Sequence, residues 1–136
     1  MSEHTLALLV HERPEPFERL RRSLKDLSVE TYSVSSCHEA ERLISDCRPH
    51  VVFTDRALRD GSWMTILNIA ESAEVPLNVI VVASQPDTRF YVSVMERGAF
   101  DFVAPPFEHE SLNFVVRSAE LDVRRRREAV ALAAAG

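Results

Sequence analysis

Five short runs rich in apolar and β-branched residues alternate along this chain with stretches in which apolar residues recur every three or four positions. The runs favour strands, and the three-to-four spacing is typical of amphipathic helices. The pattern predicts five strands, at Thr5–Val10, Val29–Val34, Pro49–Asp55, Leu77–Ala83 and Ala99–Ala104. A helix is predicted after each strand, and the last one is marked by Leu112, Val115, Val116, Ala119 and Val123.

Strand–helix–strand units of this length imply parallel strands joined by right-handed crossovers. A closed barrel of such units typically needs about 250 residues, whereas this chain has 136. The predicted fold class is therefore α/β, a single flavodoxin-like (βα)5 doubly wound parallel sheet with strand order 2-1-3-4-5. In that order the first and third strands flank the switch point, where open sheets bind ligands. His11 and Glu12 would then lie in the same crevice as Asp55.

Composition excludes several other classes of protein. Hydrophobic residues make up 46% and charged residues 27% of the chain, as in an ordinary globular domain. The net charge of −5 argues against direct nucleic-acid binding by this domain. No apolar run reaches the roughly 18 residues that span a bilayer, and the N-terminus resembles no signal peptide, so we expect a cytoplasmic location and no membrane contact. Three glycines are too few for a dinucleotide-binding fingerprint.

Cys37 and Cys47 lie ten residues apart in one predicted helix. About 15 Å of helix would separate them, so they cannot form a disulfide with each other. Asp55, at the end of the third run, is the carboxylate that most needs an explanation. Taken alone, such a residue most often caps a turn; at a sheet edge it is also a candidate nucleophile or metal ligand.

The order and spacing of five landmarks resemble the receiver domain of two-component response regulators, over residues 5–123. The landmarks are Leu8-Leu9-Val10 followed by an acid, Pro49 to Asp55, Leu58 with Gly61, Val79-Ile80-Val81-Val82, and Gly98-Ala99-Phe100-Asp101-Phe102 with Pro106-Phe107.

The resemblance implies that Asp55 is the phosphoacceptor, which takes a phosphoryl group from a kinase histidine. It also implies Mg²⁺ binding by Glu12, Asp55 and the backbone carbonyl of Ala57, because a carboxylate that attacks phosphorus needs compensating positive charge. The acid pair after the first strand falls on His11 and Glu12, so a histidine replaces one acid. That histidine is interpreted as a polar neighbour; a protonated His11 replacing a cation, or a neutral one favouring a softer metal, are the other readings.

Three further positions determine how much of the family mechanism can apply to this chain. The switch hydroxyl falls on Ala83, which has none; Ser84 would supply it only if the strand end shifted by one residue. The lysine position falls on Pro105, which carries no charge, while the aromatic switch falls on Phe102. Arg56 and Arg59 follow Asp55, but side chains there are expected to point to solvent.

Two hypotheses follow. The first, which we prefer, is a degenerate receiver, not an enzyme, that signals through protein contacts with phosphoryl switching weakened or abolished and Mg²⁺ binding weak or absent. The alternative is a functional phosphoacceptor, with Mg²⁺-dependent phosphorylation of Asp55 by a histidine kinase. A small flavodoxin-like binding protein for another ligand is a distant third, and the lack of Gly-rich loops counts against it.

The partner would be a histidine kinase or another signalling protein, or a second copy bound through the fourth helix, fifth strand and fifth helix. Either Phe90 or Tyr91 is expected at a protein interface. Residues 1–123 are predicted to form the receiver-like domain. Residues 124–136 follow as a helical extension or the start of a linker to an absent output domain, and their arginine run is typical of a solvated helix.

Overall fold

The computed structural model describes residues 4–136, and its centre is a five-stranded parallel sheet. We number the strands of this sheet β1 to β5. They are β1 Thr5–Val10, β2 Val29–Val34, β3 Val51–Thr54, β4 Asn78–Val82 and β5 Asp101–Val103. Their order in the sheet is β2-β1-β3-β4-β5, with every neighbouring pair parallel. The predicted fold class and strand order are confirmed.

Five helices connect and cover these strands. They are α1 Phe17–Asp26, α2 Cys37–Cys47, α3 Trp63–Glu71, α4 Thr88–Arg97 and α5 His109–Ala135. Helices α2 and α4 carry ordinary capping residues at their ends. The Ser36 side chain accepts from the Glu39 backbone N–H and caps α2, while Gly98 closes α4 with a left-handed φ of 106°.

The helices cover both faces of the sheet, which explains why the central strands are apolar on both sides. Side chains of α2, α3 and α4 pack on one face, and those of α1 and the first half of α5 pack on the other. All residues of β3 and β4 are buried, as expected for central strands of a doubly wound sheet. This packing fixes the ends of β1 and β3 at one edge.

A short β-hairpin follows β3 and was not predicted. Its two antiparallel strands, Ala57–Leu58 and Gly61–Ser62, have two residues each. A Cβ atom on Gly61 would lie 2.6 Å from the Thr65 hydroxyl and 2.9 Å from the Cys37 sulfur, so the close packing there requires glycine. At the tip, the Asp60 carboxylate accepts from the backbone N–H groups of Cys37 (2.8 Å) and His38 (3.0 Å). The hairpin is thereby attached to the N-terminus of α2.

The cysteines behave as predicted, since Cys37 and Cys47 are both free thiols. Cys37 is buried, and burial is the main cause that raises the pKa of its thiol to about 11. It is therefore a protonated packing group at neutral pH.

Helix α5 runs for 27 residues without a break, well past the predicted apolar stripe that ends at Val123. Its basic run is not uniformly solvated. Arg127 donates to the backbone carbonyls of Pro76 (2.8 Å) and Pro49 (2.7 Å), and Arg126 donates to the Asn78 side chain (2.6 Å). The extension is thus tied to the loops that precede β3 and β4. Within residues 4–136, no helix combines the length and apolar character needed to cross a bilayer.

Candidate functional site

Asp55 follows β3 at the carboxyl edge of the sheet, beside the end of β1. The last register pair of the two strands joins Val10 to Thr54, and the Asp55 backbone N–H then donates to the Val10 carbonyl at 2.9 Å. Asp55 is only 2% exposed. The residue that the sequence singled out therefore lies at the switch point, with its carboxylate almost fully withdrawn from solvent.

Arg13, on the loop after β1, binds both oxygens of the Asp55 carboxylate. Its Nη2 lies 2.9 Å from Oδ1 and 3.1 Å from Oδ2, and its Nε lies 3.2 Å from Oδ2. This two-pronged geometry is the strong form of an arginine–carboxylate contact. The hydrogen bonds to Asp55, followed by its charge, raise the pKa of Arg13 above its already high value. The Arg13 guanidinium thus stays protonated and places a permanent positive charge against the Asp55 carboxylate.

Arg13 had no role in the sequence prediction. A signal was present, because the switch-point geometry already directed the loop after β1 toward Asp55, and Arg13 directly follows the two residues chosen there. The side chains expected to point to solvent, Arg56 and Arg59, make no hydrogen bond to Asp55 in the described chain. The Arg56 guanidinium lies 4.2 Å from the centre of the Phe90 ring, while the Arg59 Nη2 lies 3.3 Å from the Ser35 hydroxyl.

Glu12 and His11 are both engaged away from Asp55. The Glu12 carboxylate accepts from the Arg59 backbone N–H at 2.7 Å, in the tip of the hairpin. The His11 Nδ1 donates to the Arg13 carbonyl at 2.7 Å, and its ring stacks on Phe17 with centroids 4.3 Å apart. The structure therefore places His11 as a support for the loop.

In this conformation the residues predicted to bind Mg²⁺ make other contacts. Among residues 4–136, no three His, Cys, Asp or Glu side chains converge on a common point where they could hold one. One Glu12 oxygen accepts from a backbone N–H and both Asp55 oxygens accept from a guanidinium, while Ala57 lies exposed on the first strand of the hairpin. Mg²⁺ needs several oxygen ligands at about 2.0–2.1 Å around one centre. In this conformation the predicted ligands do not provide that set.

The positions predicted for the hydroxyl and the lysine lie at the carboxyl edge without replacement groups. Ala83 is 8% exposed, and its backbone N–H donates to the Val103 carbonyl at 2.9 Å. Ser84 is exposed and, within the described residues, makes no hydrogen bond to Asp55. Pro105 is half-buried and joins Pro106 through a cis peptide bond. A cavity of about 260 Å³, lined by Asp55, Ala83 and Ser84 among others, opens beside these groups.

Phe102 lies in β5, half-buried between two aromatic residues of α4. Its ring meets Phe90 at 5.4 Å and Tyr91 at 5.7 Å between centroids, both edge to face. Phe90 is 6% exposed and Tyr91 is 44% exposed, so one faces the core and the other the surface. Because Arg56 lies over Phe90, a continuous row of contacts leads from the residue after Asp55 to the surface of α4.

A sequence model of the response regulator receiver domain matches residues 7–117, most of the chain. The chain belongs to the response regulator receiver domain family. The resemblance read from the sequence is thereby confirmed, and the protein is a receiver domain of two-component response regulators, a class of signalling domain.

Several regulatory proteins are similar to this receiver. The C4-dicarboxylate transport transcriptional regulatory protein DctD of Pseudomonas aeruginosa is 27% identical over 121 residues, covering 89% of this chain and 26% of DctD. The regulatory protein AtoC of Escherichia coli is 29% identical over 90 residues, covering 66% of this chain and 20% of AtoC. The chain thus spans about a fifth to a quarter of the length of these curated relatives.

Solved structures show the same fold. NtrX from Brucella abortus superposes with a TM-score of 0.78 at 25% identity, covering 96% of this chain and 30% of NtrX. The receiver domain of the sensor histidine kinase PA1611 from Pseudomonas aeruginosa superposes with a TM-score of 0.74 at 17% identity, covering 87% of this chain and 98% of that one. The PA1611 domain was solved with a magnesium ion coordinated in its active site cleft.

Proposed function

We propose that this receiver signals through protein contacts and that phosphoryl transfer to Asp55 is weak or absent. The observation that carries the proposal is that Ala83 and Pro105 occupy the hydroxyl and lysine positions while Ser84 offers Asp55 no replacement bond. Phosphoryl transfer depends almost entirely on positioning and on charge stabilisation. Loss of one such positioned donor typically slows a reaction about 10²–10³-fold, and here two are missing.

The alternative is a functional phosphoacceptor, with Asp55 phosphorylated in a Mg²⁺-dependent reaction by a histidine kinase. The position of Asp55 at the carboxyl edge, beside the 260 Å³ cavity, supports this alternative. So does the magnesium ion in the PA1611 receiver, which has the same fold. For this chain it requires that Arg13 leave Asp55, since the guanidinium contacts both oxygens of that carboxylate.

The contact surface proposed for signalling is the face formed by α4, β5 and α5. Tyr91 is exposed there, and Phe102 connects it to the pocket through ring contacts. Because Ala83 has no hydroxyl, no group at that position draws Phe102 inward. The conformation of this surface therefore stays the same. We propose a histidine kinase or another cytoplasmic signalling protein, or a second copy of this chain, as its partner, with no direct contact to nucleic acid.

We also propose that residues 1–123 form the receiver and that residues 124–136 lead toward an output domain. The curated relatives are several times longer than the part that this chain matches. The unbroken course of α5 to Ala135 suits a helical connection.

Intact mass after incubation with Mg²⁺ and acetyl phosphate tests the proposal. A receiver that retains the lysine and the hydroxyl serves as a positive control in parallel, and Asp55→Asn shows which part of any mass gain depends on Asp55. We expect no Asp55-dependent gain in this protein under conditions that phosphorylate the control. A phosphoryl mass that appears in the wild type and vanishes in Asp55→Asn would establish the alternative instead.

A further inference from the structure

The Asp55 carboxylate already accepts as many hydrogen bonds as it can readily hold. An ionised carboxylate offers about four acceptor positions, two on each oxygen. Oδ1 accepts from the Arg13 Nη2 at 2.9 Å and from the Arg56 backbone N–H at 2.8 Å. Oδ2 accepts from the Arg13 Nε at 3.2 Å and from Nη2 at 3.1 Å. Three of the four contacts come from one guanidinium.

We propose that Arg13 is an intramolecular lid on Asp55 that competes directly with divalent cations for the carboxylate. A metal ion would need an Asp55 oxygen at about 2.0–2.1 Å, but each oxygen already has a guanidinium nitrogen within 3.2 Å. A divalent cation and a guanidinium cannot share those oxygens without strong like-charge repulsion. This inference refines the proposed weak phosphoryl switching by naming the group that keeps the pocket closed.

The loop that carries Arg13 is held in the closing position by its own neighbours. The His11 Nδ1 donates to the Arg13 carbonyl, and the His11 ring stacks on Phe17, which is 1% exposed. The Pro14 carbonyl accepts from the Glu18 backbone N–H at 2.7 Å, which attaches the loop to α1. The backbone that carries Arg13 is therefore already ordered when the guanidinium closes on Asp55, which favours the closed form.

The lid is nevertheless free to open. The Arg13 side chain is 57% exposed while the Asp55 side chain is 3% exposed. The guanidinium can therefore swing into water without disturbing the core, which leaves the carboxylate uncovered at the cavity. The same exposure makes Arg13 replaceable by site-directed mutagenesis with little direct effect on packing.

Calorimetric titration with Mg²⁺ tests the lid without any phosphoryl transfer. The proteins are the wild type, Arg13→Gln, Asp55→Asn, and Arg19→Gln as a matched control. Arg19 also pairs with a carboxylate, Glu15, at 3.0 Å, but both side chains are about half exposed and do not touch Asp55. We expect Arg13→Gln to bind Mg²⁺ at least tenfold more tightly than the wild type, and Arg19→Gln to match the wild type. Adding Asp55→Asn to Arg13→Gln should remove the gain.

An Arg13→Gln protein that folds and binds Mg²⁺ no more tightly than the wild type would overturn the lid. If Arg13→Gln does not fold, Arg13→Lys replaces it, because a lysine keeps the charge but cannot bind both oxygens in a two-pronged contact. A gain of at least threefold is then expected, and no gain overturns the lid.

The result of the Mg²⁺ titration can be distinguished from the result of the phosphorylation test of the proposed function. Phosphorylation of the wild type together with tighter Mg²⁺ binding by Arg13→Gln would contradict weak switching and leave the lid standing. No phosphorylation of the wild type together with unchanged Mg²⁺ binding by Arg13→Gln would contradict only the lid.

Discussion

Replacing Arg127 by alanine should destabilise the domain although Arg127 lies beyond the residues that match the family. Its guanidinium joins α5 to two loops, through the carbonyls of Pro76 at 2.8 Å, Pro49 at 2.7 Å and Arg48 at 3.1 Å. A hydrogen bond to a charged group typically contributes about 1.5–3 kcal/mol when buried. Arg127 is half-buried and the freed carbonyls would regain water, so we expect a total loss of about 1–2 kcal/mol for the three bonds.

Urea unfolding followed by circular dichroism measures this loss, and hydrogen exchange along α5 locates it. A loss of that size lowers the melting temperature by roughly 3–8 °C in a domain of this length. Arg125→Ala is the matched control, since Arg125 lies in the same basic run, is exposed, and makes no ion pair or hydrogen bond with the described part of the chain. It should change stability by less than about 0.5 kcal/mol. Equal stability of the two variants would refute the reasoning that Arg127 anchors the extension.

Two further predictions concern the hairpin and the pocket. The backbone N–H groups of Cys37 and His38 hold the pKa of Asp60 below its ordinary value of 3.8, so its stabilising contribution is present above that pH and is lost as the pH falls through the folded-state value. The urea midpoint of Asp60→Asn should therefore lie below that of the wild type near neutral pH and converge on it only as the pH falls below 3.8; a difference that does not change with pH would contradict this. The triple variant Arg13→Gln, Ala83→Ser, Pro105→Lys should gain an Asp55-dependent phosphoryl mass from acetyl phosphate and Mg²⁺. A triple variant that folds but gains no mass would show that these three positions do not account for weak transfer.

The strands were predictable because burial on both faces leaves a simple pattern. The bounds of β1 and β2 agree with the prediction, whereas β3, β4 and β5 are each shorter than predicted at both ends. In β5, Ala99, Phe100 and Ala104 lie outside the ladder. The length of α5 was not predictable from apolar spacing, which stops at Val123. What continues the helix is an Ala-rich sequence of high helix propensity, together with bonds from Arg126 and Arg127 to distant loops.

The position of the candidate site could be predicted from the strand order, but the side chain that contacts Asp55 could not. Asp55 and Glu12 were placed at one crevice by the strand order alone. Which cation reaches Asp55 depends on the direction of individual side chains, and a sequence with several arginines nearby does not fix it. Arg56 lies over Phe90 and Arg59 turns toward Ser35, which leaves Arg13 to bind the carboxylate.

The contact between Arg13 and Asp55 can be observed directly through the Arg13 Nε–H signal in a ¹H–¹⁵N spectrum of the wild-type protein near neutral pH. Exposed guanidinium protons exchange rapidly with water, whereas protons bonded to a buried carboxylate are protected. We predict a protected, well-resolved Arg13 Nε–H signal that is lost in Asp55→Ala, while the exposed Arg125 gives no protected signal in either protein. An Arg13 Nε–H that exchanges as fast as that of Arg125 in the wild type would contradict the account that Arg13 closes the Asp55 pocket.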